Sequence, residues 1–304
     1  VTFSATGTDT SVISGTLATV TVAPADDSPV LADVNLTIPH QTEDNLGAPS
    51  GTVGFLASTL VGNGTGPNNV SDTDGPTTGM VITQADTSQG NWWYSTDGGA
   101  TWTEFASSSL TAVSNANALH LVADGNTRLY FQPKTTDWNG TIPTALTFRA
   151  WDQFSPTTSI TNGGRADIGS SGFGTGINTA ASAYSAATDT VSLTVDPVND
   201  APVASGTATL PSMPEDTDTT TAPSRTVTEL FGPTFNDSRD QVTDGSSANT
   251  LAGIAITAND STLAQGTWQY SLDGTTWTDV RRTGLDDTTA LILPSTASLR
   301  FVPE

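Results

Sequence analysis

The chain has 304 residues, enough for about two domains with separate cores, and sets 31 Asp and Glu against 9 Lys and Arg for a formal net charge of -22. A field of that sign repels phosphate backbones and anionic lipid heads and favours divalent cations, which argues against nucleic acid and membrane surfaces as partners. Cysteine is absent, so no disulfide supports the fold, and no apolar run approaches the roughly 20 residues needed to span a bilayer.

Short strand-like segments follow one another from the first residue: "TFSATG" and "LATVTV", then "NLTI", "GMVIT", "ALHLV", "LYFQP", "LTFRAW" and "VSLTV". They alternate or run apolar, are rich in Val, Ile, Thr and aromatics, and are separated by Gly, Asn, Asp, Ser and Pro. No stretch keeps an i, i+3, i+4, i+7 apolar pattern for three turns, so the expectation is an all-β chain with few, short helices. The hairpin "NWWYSTDGGATW" (91–102) places Trp92 and Tyr94 on one strand face and Trp93 on the other. The segment 153–186 is long and Gly/Ser/Thr-rich, which predicts a surface excursion.

The C-terminal third repeats what came before. "GIAIT", "TWQYSLDGTTW", "ALIL" and "LRFVP" match "GMVIT", "NWWYSTDGGATW", "ALHL" and "LYFQP". "DPVNDAPV" (196–203) matches "APADDSPV" (23–30), and "TFRAWDQF" (147–154) resembles "TFSATGTD" (2–9). Pro29 and Pro202 set the period at about 173 residues. Residues 31–200 then form one whole repeat, 1–30 the closing strands of a preceding one, and 201–304 the opening portion of a following one. The broken ends, and a first residue that is not Met, suggest a piece of a longer protein. They also predict that "VTFSA" and "LATVTV" pair with the "GIAIT", "TWQYS" and "LRFVP" strands of a neighbouring copy, in the same long polypeptide or in a separate subunit. Trp92 and Trp268, common to both copies, belong to the cores. Trp93, replaced by Gln269, is an exposed aromatic.

Carboxylates gather where repeats meet. Asp196, Asn199 and Asp200 lie on the later junction and Asp26 and Asp27 on the earlier one, each followed about a dozen residues later by an acidic pair, Glu43-Asp44 or Glu215-Asp216. Asp72 and Asp74 in "SDTDG" add a D-x-D spacing. Ca2+ takes six to eight oxygens from such groups, although Asp and Asn also form turns in any β protein. For catalysis the chain offers little: two histidines, of which His120 lies in a strand where the other copy has Ile292, and acids that mostly sit in turns. A catalytic role is not expected.

Taken as a set, "VNDAPV", the following "ED", "GTWQYSLDGTTW", "LRFVP" and "DWNGT…LTFRAWD" resemble the cadherin-like, immunoglobulin-type repeats of giant bacterial surface adhesins. The "LDRE" element of cadherins is missing, and Ala23 stands where the later junction has Asp196. The resemblance implies tandem β-sandwiches stiffened by Ca2+ and exported to the cell surface, often by type I secretion. It also implies that Asp196, Asn199 and Asp200 serve as junction ligands, with Glu43 and Glu215 as acidic partners. The expected role is a Ca2+-stiffened extender or fibre segment of a secreted or cell-surface protein, its partners being neighbouring repeats or head-to-tail copies. The alternative is recognition of a surface glycan or protein through Trp93, Trp138 and the 153–186 loop.

Overall fold

The structure, a computed structural model, describes residues 26–64, 66–73, 75, 78–106, 111–154, 160–169 and 182–304. The chain is mostly β, as its composition and alternation require. The expected closing strands within residues 1–25, together with Asp74 and parts of the 153–186 loop, lie outside the described residues.

The first unit carries β1 (Val30–Leu31), β2 (Gln41–Thr42), β3 (Phe55–Leu56), β4 (Val70–Ser71), β5 (Gly79–Ala85), β6 (Gly90–Ser95), β7 (Thr103–Glu104), β8 (Ala118–Val122), β9 (Arg128–Pro133), β10 (Gly140–Trp151), β11 (Arg165–Ala166) and β12 (Asp189–Asp196). A six-stranded sheet runs in the order β11-β8-β5-β10-β12-β2, and a four-stranded sheet in the order β3-β9-β6-β7. All of these pairings are antiparallel except β12 with β2. The two sheets share one core. Met80 and Ile82 of β5, Phe148 of β10 and Val191, Leu193 and Val195 of β12 meet Trp92 of β6 and Leu129 and Phe131 of β9. Period-2 alternation decides which side chains enter: Trp92 is only 1% exposed and Trp93 lies on the other face, as expected, but the expectation that Trp93 is exposed is corrected, since it is half-buried. The Trp92 ring lies 5.2 Å from Phe131, 6.1 Å from Phe105 and 6.4 Å from Phe55.

A smaller apolar layer covers the outer face of the six-stranded sheet. Val81, Trp151, Ile168 and Tyr184 pack there, so the described parts of the 153–186 excursion add a layer to the sandwich. His120, predicted as structural, is fully buried in that layer between Tyr184 and Trp151.

The second unit carries β13 (Val203–Ala204), β14 (Ser224–Thr226), α1 (Val227–Phe231), β15 (Phe235–Asn236), β16 (Gly253–Ile256), β17 (Thr267–Ser271), β18 (Thr278–Asp279), β19 (Leu291–Pro294) and β20 (Ser298–Val302). Its pairings repeat those of the first. The sheet β14-β20-β17-β18 corresponds to β3-β9-β6-β7, the pair β16-β19 to β5-β8, and β13-β15 to β1-β4. Even the registers agree: Trp92 faces Phe131 and Trp268 faces Phe301 across their ladders. Among the described residues, nothing in this unit corresponds to β10 and β12. The expectation that Trp268 is a core residue is therefore corrected, because the sheet that buries Trp92 is not assembled here and Trp268 is half-buried.

Candidate functional site

Where the units meet, β2, the approach to β10 and the segment after β12 converge on the loop 237–249. Parallel pairing of β2 with β12 carries Glu43 to the exit of β12, and its backbone N–H donates to the Asp196 carbonyl at 3.3 Å. The Glu43 side chain, 2% exposed, accepts from the Val198 N–H and, at 2.8 Å, from Asn139 Nδ2. Asn139 in turn grips the second unit. Its Oδ1 accepts from the Ser246 N–H at 2.7 Å and its Nδ2 donates to Ser246 Oγ at 2.8 Å. Ser246 Oγ donates to the Asp240 carbonyl at 2.6 Å, and one Asp240 oxygen accepts from the Asp200 N–H at 3.0 Å. This contact is close enough to require glycine at 245, where an added Cβ would lie 2.4 Å from Asn139 Oδ1.

The network holds two units together and leaves charge uncompensated. Asp240 is 6% exposed, yet its Oδ2 has no hydrogen-bond partner, and neither does the buried Oδ1 of Asp137. Asp237, also buried, accepts from the Asn249 N–H at 2.6 Å. The basic groups at hand are peripheral. His40 Nδ1 lies 2.9 Å from Asp196 Oδ1 with both side chains about half exposed, and Arg239 lies 3.5 Å from Asp200 Oδ1. A buried carboxylate oxygen without a donor costs free energy unless something positive reaches it.

Compared with known protein families, with curated proteins and with solved structures, the chain matches none.

Several residues singled out in the sequence do converge at this joint. Glu43, Asp196, Asn199 and Asp200 are together, with Asn199 Oδ1 3.5 Å from Asn249 Nδ2. Asp44 is exposed beside Glu43 and joins none of these hydrogen bonds. Glu215 and Asp216 are exposed in a turn of the second unit and reach no junction. Their counterpart Glu43 is buried only because β2 has β12 to pair with. Sequence reading missed Asp137, Asn139, Asp237 and Asp240. The signal available was repeat position: Asp237 follows β15 as Asp72 follows β4.

The opposite pole of the first unit carries a related set. Asp152, directly after β10, is 9% exposed, its Oδ1 accepts from the Phe154 N–H at 2.7 Å and its Oδ2 is unpartnered. Burial, with added repulsion from Asp26 and Asp72, pushes its carboxyl up to about 7. Asp26, expected at the earlier junction, and Asp72, expected in the "SDTDG" loop, thus lie near a third carboxylate that was not expected, while Asp27 is exposed. Among the described residues, no three His, Asp or Glu side chains already surround a common point as a closed cation site. At each pole the fit to a hard cation rests instead on an unpartnered buried carboxylate oxygen, a kind of ligand that Ca2+ accepts.

The aromatic candidates divide differently. Trp93 Nε1 donates to Gln132 Oε1 at 2.8 Å, which holds the ring against its own sheet. Trp138 packs on the core of the first unit and lines a groove of about 650 Å³ between the units, with Asp86, Gln241 and Asp244.

Proposed function

We propose that the chain is a segment of a tandem-repeat protein of the cell surface or extracellular space, acting as a spacer or fibre that Ca2+ stiffens at its joints. The observation that carries this reading is Asp240: a buried carboxylate with an unpartnered oxygen, in a joint where Glu43, Asp137, Asp200 and Asp237 also lie. A divalent cation would supply there the positive charge that binds both units to one centre. Asp137, Asp196, Asn199, Asp200, Asp237, Asp240 and Glu43 would hold it. Asp26, Asp27, Asp72 and Asp152 would do the same at the other pole. The resemblance to cadherin-like adhesin repeats and the net charge of -22 support the same conclusion. Repetition suits spacing, which needs many similar modules, better than it suits catalysis, which needs one distinctive surface.

The test is a Ca2+ titration of the intact chain followed by chelation, read by calorimetry and small-angle scattering. Ca2+ is expected to raise the melting temperature and narrow the distribution of interdomain angles, and EDTA to reverse both. Unchanged melting and unchanged scattering would remove the proposal. The groove beside Trp138 favours a second reading, recognition of a glycan or protein. A glycan array in which binding disappears with Trp138→Ala would establish it.

A further inference from the structure

The groove beside Trp138 has walls from both units. The first unit supplies Asp86, Asp137 and Trp138, and the loop 237–249 supplies Gln241 and Asp244. Its volume of about 650 Å³ is that of a small-ligand site. Gly140 keeps it open where the walls come closest: a Cβ there would lie 3.6 Å from the Trp138 ring and 3.5 Å from the Asp244 carbonyl. The facing loop tip is held in shape. The Val242 carbonyl accepts from the Gly245 N–H at 3.2 Å, the Val242 N–H donates to the Ser246 carbonyl at 3.0 Å, and Asp244 turns between them with a φ of 62°, a left-handed conformation that Asp adopts more readily than most residues. The bonds from Asn139 to Ser246 set this tip against the first unit.

We propose, resting on the reading of this groove as a recognition site, that its ligand is an oligosaccharide without acidic groups, which stacks a sugar ring on Trp138, donates hydroxyls to Asp86 and Asp244, and so spans both units.

The chemistry of the walls selects this class. Three carboxylates line the groove and no Lys, Arg or His does. An ionised carboxylate only accepts hydrogen bonds, so the ligand must bring the donors. It must also bring no negative charge, since uronate or sialate groups would face these carboxylates in a chain of net charge -22. Sugar hydroxyls are donors, and the C–H face of a sugar ring suits the apolar surface of an indole.

The backbone disfavours an extended peptide. Among the described residues, β5 pairs with β10 only over Leu146–Trp151, so the start of β10, which lines the groove, has no strand from β5 beside it. A peptide would add itself there as a strand. Pro143 lies in this stretch, has no N–H to donate, and interrupts the ladder that such an addition needs.

A ligand that touches both walls ties binding to closure of the joint. Whatever holds the units in this arrangement strengthens binding, and the bound glycan in turn narrows the interdomain angle by the same coupling.

The test is calorimetric titration of the intact chain, in Ca2+ and again in EDTA, with hexasaccharides of glucose, mannose, galactose, glucosamine and galacturonic acid. At least one of the first four is expected to bind and the galacturonate not to. Trp138→Ala should weaken binding by about tenfold or more. Because Trp138 also packs on the first core, a second variant is needed. Asp244→Gly keeps the left-handed turn, removes a carboxylate from an exposed loop tip, and should weaken binding by about threefold or more. Preference for the galacturonate would overturn the ligand class while leaving recognition at the groove. Binding that depends on Trp138 but is unchanged in Asp244→Gly would overturn the span across the joint. Capture of a protein that depends on Trp138, with no saccharide bound, would overturn the glycan and keep the groove. No binding of any hexasaccharide in either condition would overturn the proposal.

Discussion

At the residue scale, burial separates side chains that look alike in the sequence. Trp92 is enclosed by Phe55, Phe105 and Phe131, so Trp92→Ala should cost about 3–5 kcal/mol, whereas Trp93→Ala should cost under about 1 kcal/mol, both measured by denaturant unfolding. Trp268→Ala should fall between them, because its ring lines an open trough. His120 carries a pH dependence. Its Nδ1 lies 3.1 Å from the Ala118 carbonyl and its Nε2 lies 2.9 Å from the Tyr184 hydroxyl. The two partners fix the tautomer: Nδ1–H donates to the carbonyl, and Nε2 accepts from the Tyr184 O–H. Burial lowers its pKa from 6.5 to about 4. The unfolded chain therefore binds a proton that the folded chain refuses, and the contribution to stability, full above pH 6.5, is lost as pH falls to about 4. The loss is on the order of 3 kcal/mol. A His120→Gln variant, which can still accept from Tyr184, should show a flatter stability profile across that window.

At the scale of elements, the turns and caps are held by side chains close in sequence. Asp97 accepts from Ser95 Oγ, from the Thr101 N–H and from Thr101 Oγ1, and Gly98 has a φ of 78°. Asp273 repeats the arrangement with Ser271, Thr275 and Thr276, and Gly274 has a φ of 75°. These bonds to the ionised carboxylate draw both aspartates below the usual range, and they fix the same turn in both units. Helix α1 is only 5 residues long and could not persist alone. It is fixed by a reciprocal bond pair, in which Thr226 accepts from the Glu229 N–H and Glu229 accepts from the Thr226 N–H. Thr226→Ala should lower stability by about 1 kcal/mol, with the loss read in the melting of the second unit.

At the scale of the whole molecule, rigidity depends on the few bonds that cross the joint. Asn139→Ala removes both contacts to Ser246 and a donor to Glu43, so the interdomain angle should broaden in scattering while each unit keeps its sheets by circular dichroism. Asp240→Asn should act in opposite senses with and without metal. In EDTA it removes an uncompensated buried charge and should stabilise, whereas at tenfold excess of Ca2+ over its dissociation constant the wild type should gain about 1.4 kcal/mol per site that the variant lacks. A wild type no more stable in Ca2+ than in EDTA would show that no cation binds there.

The sequence by itself determined the all-β class, the repeat and the facing of the aromatic hairpin, because these follow from period-2 alternation and local turn chemistry, which neighbouring residues decide. It also pointed to the junction through Glu43, Asp196, Asn199 and Asp200. Only the tertiary structure could decide that Asn139 bonds both Glu43 and Ser246, and that Asp240 joins the same network through Ser246, while Asp44 and Glu215 face solvent. Burial and charge at a joint depend on which distant strands pair, and a one-residue turn such as Glu43 to Asp44 reverses the direction of a side chain without leaving a mark in composition or spacing.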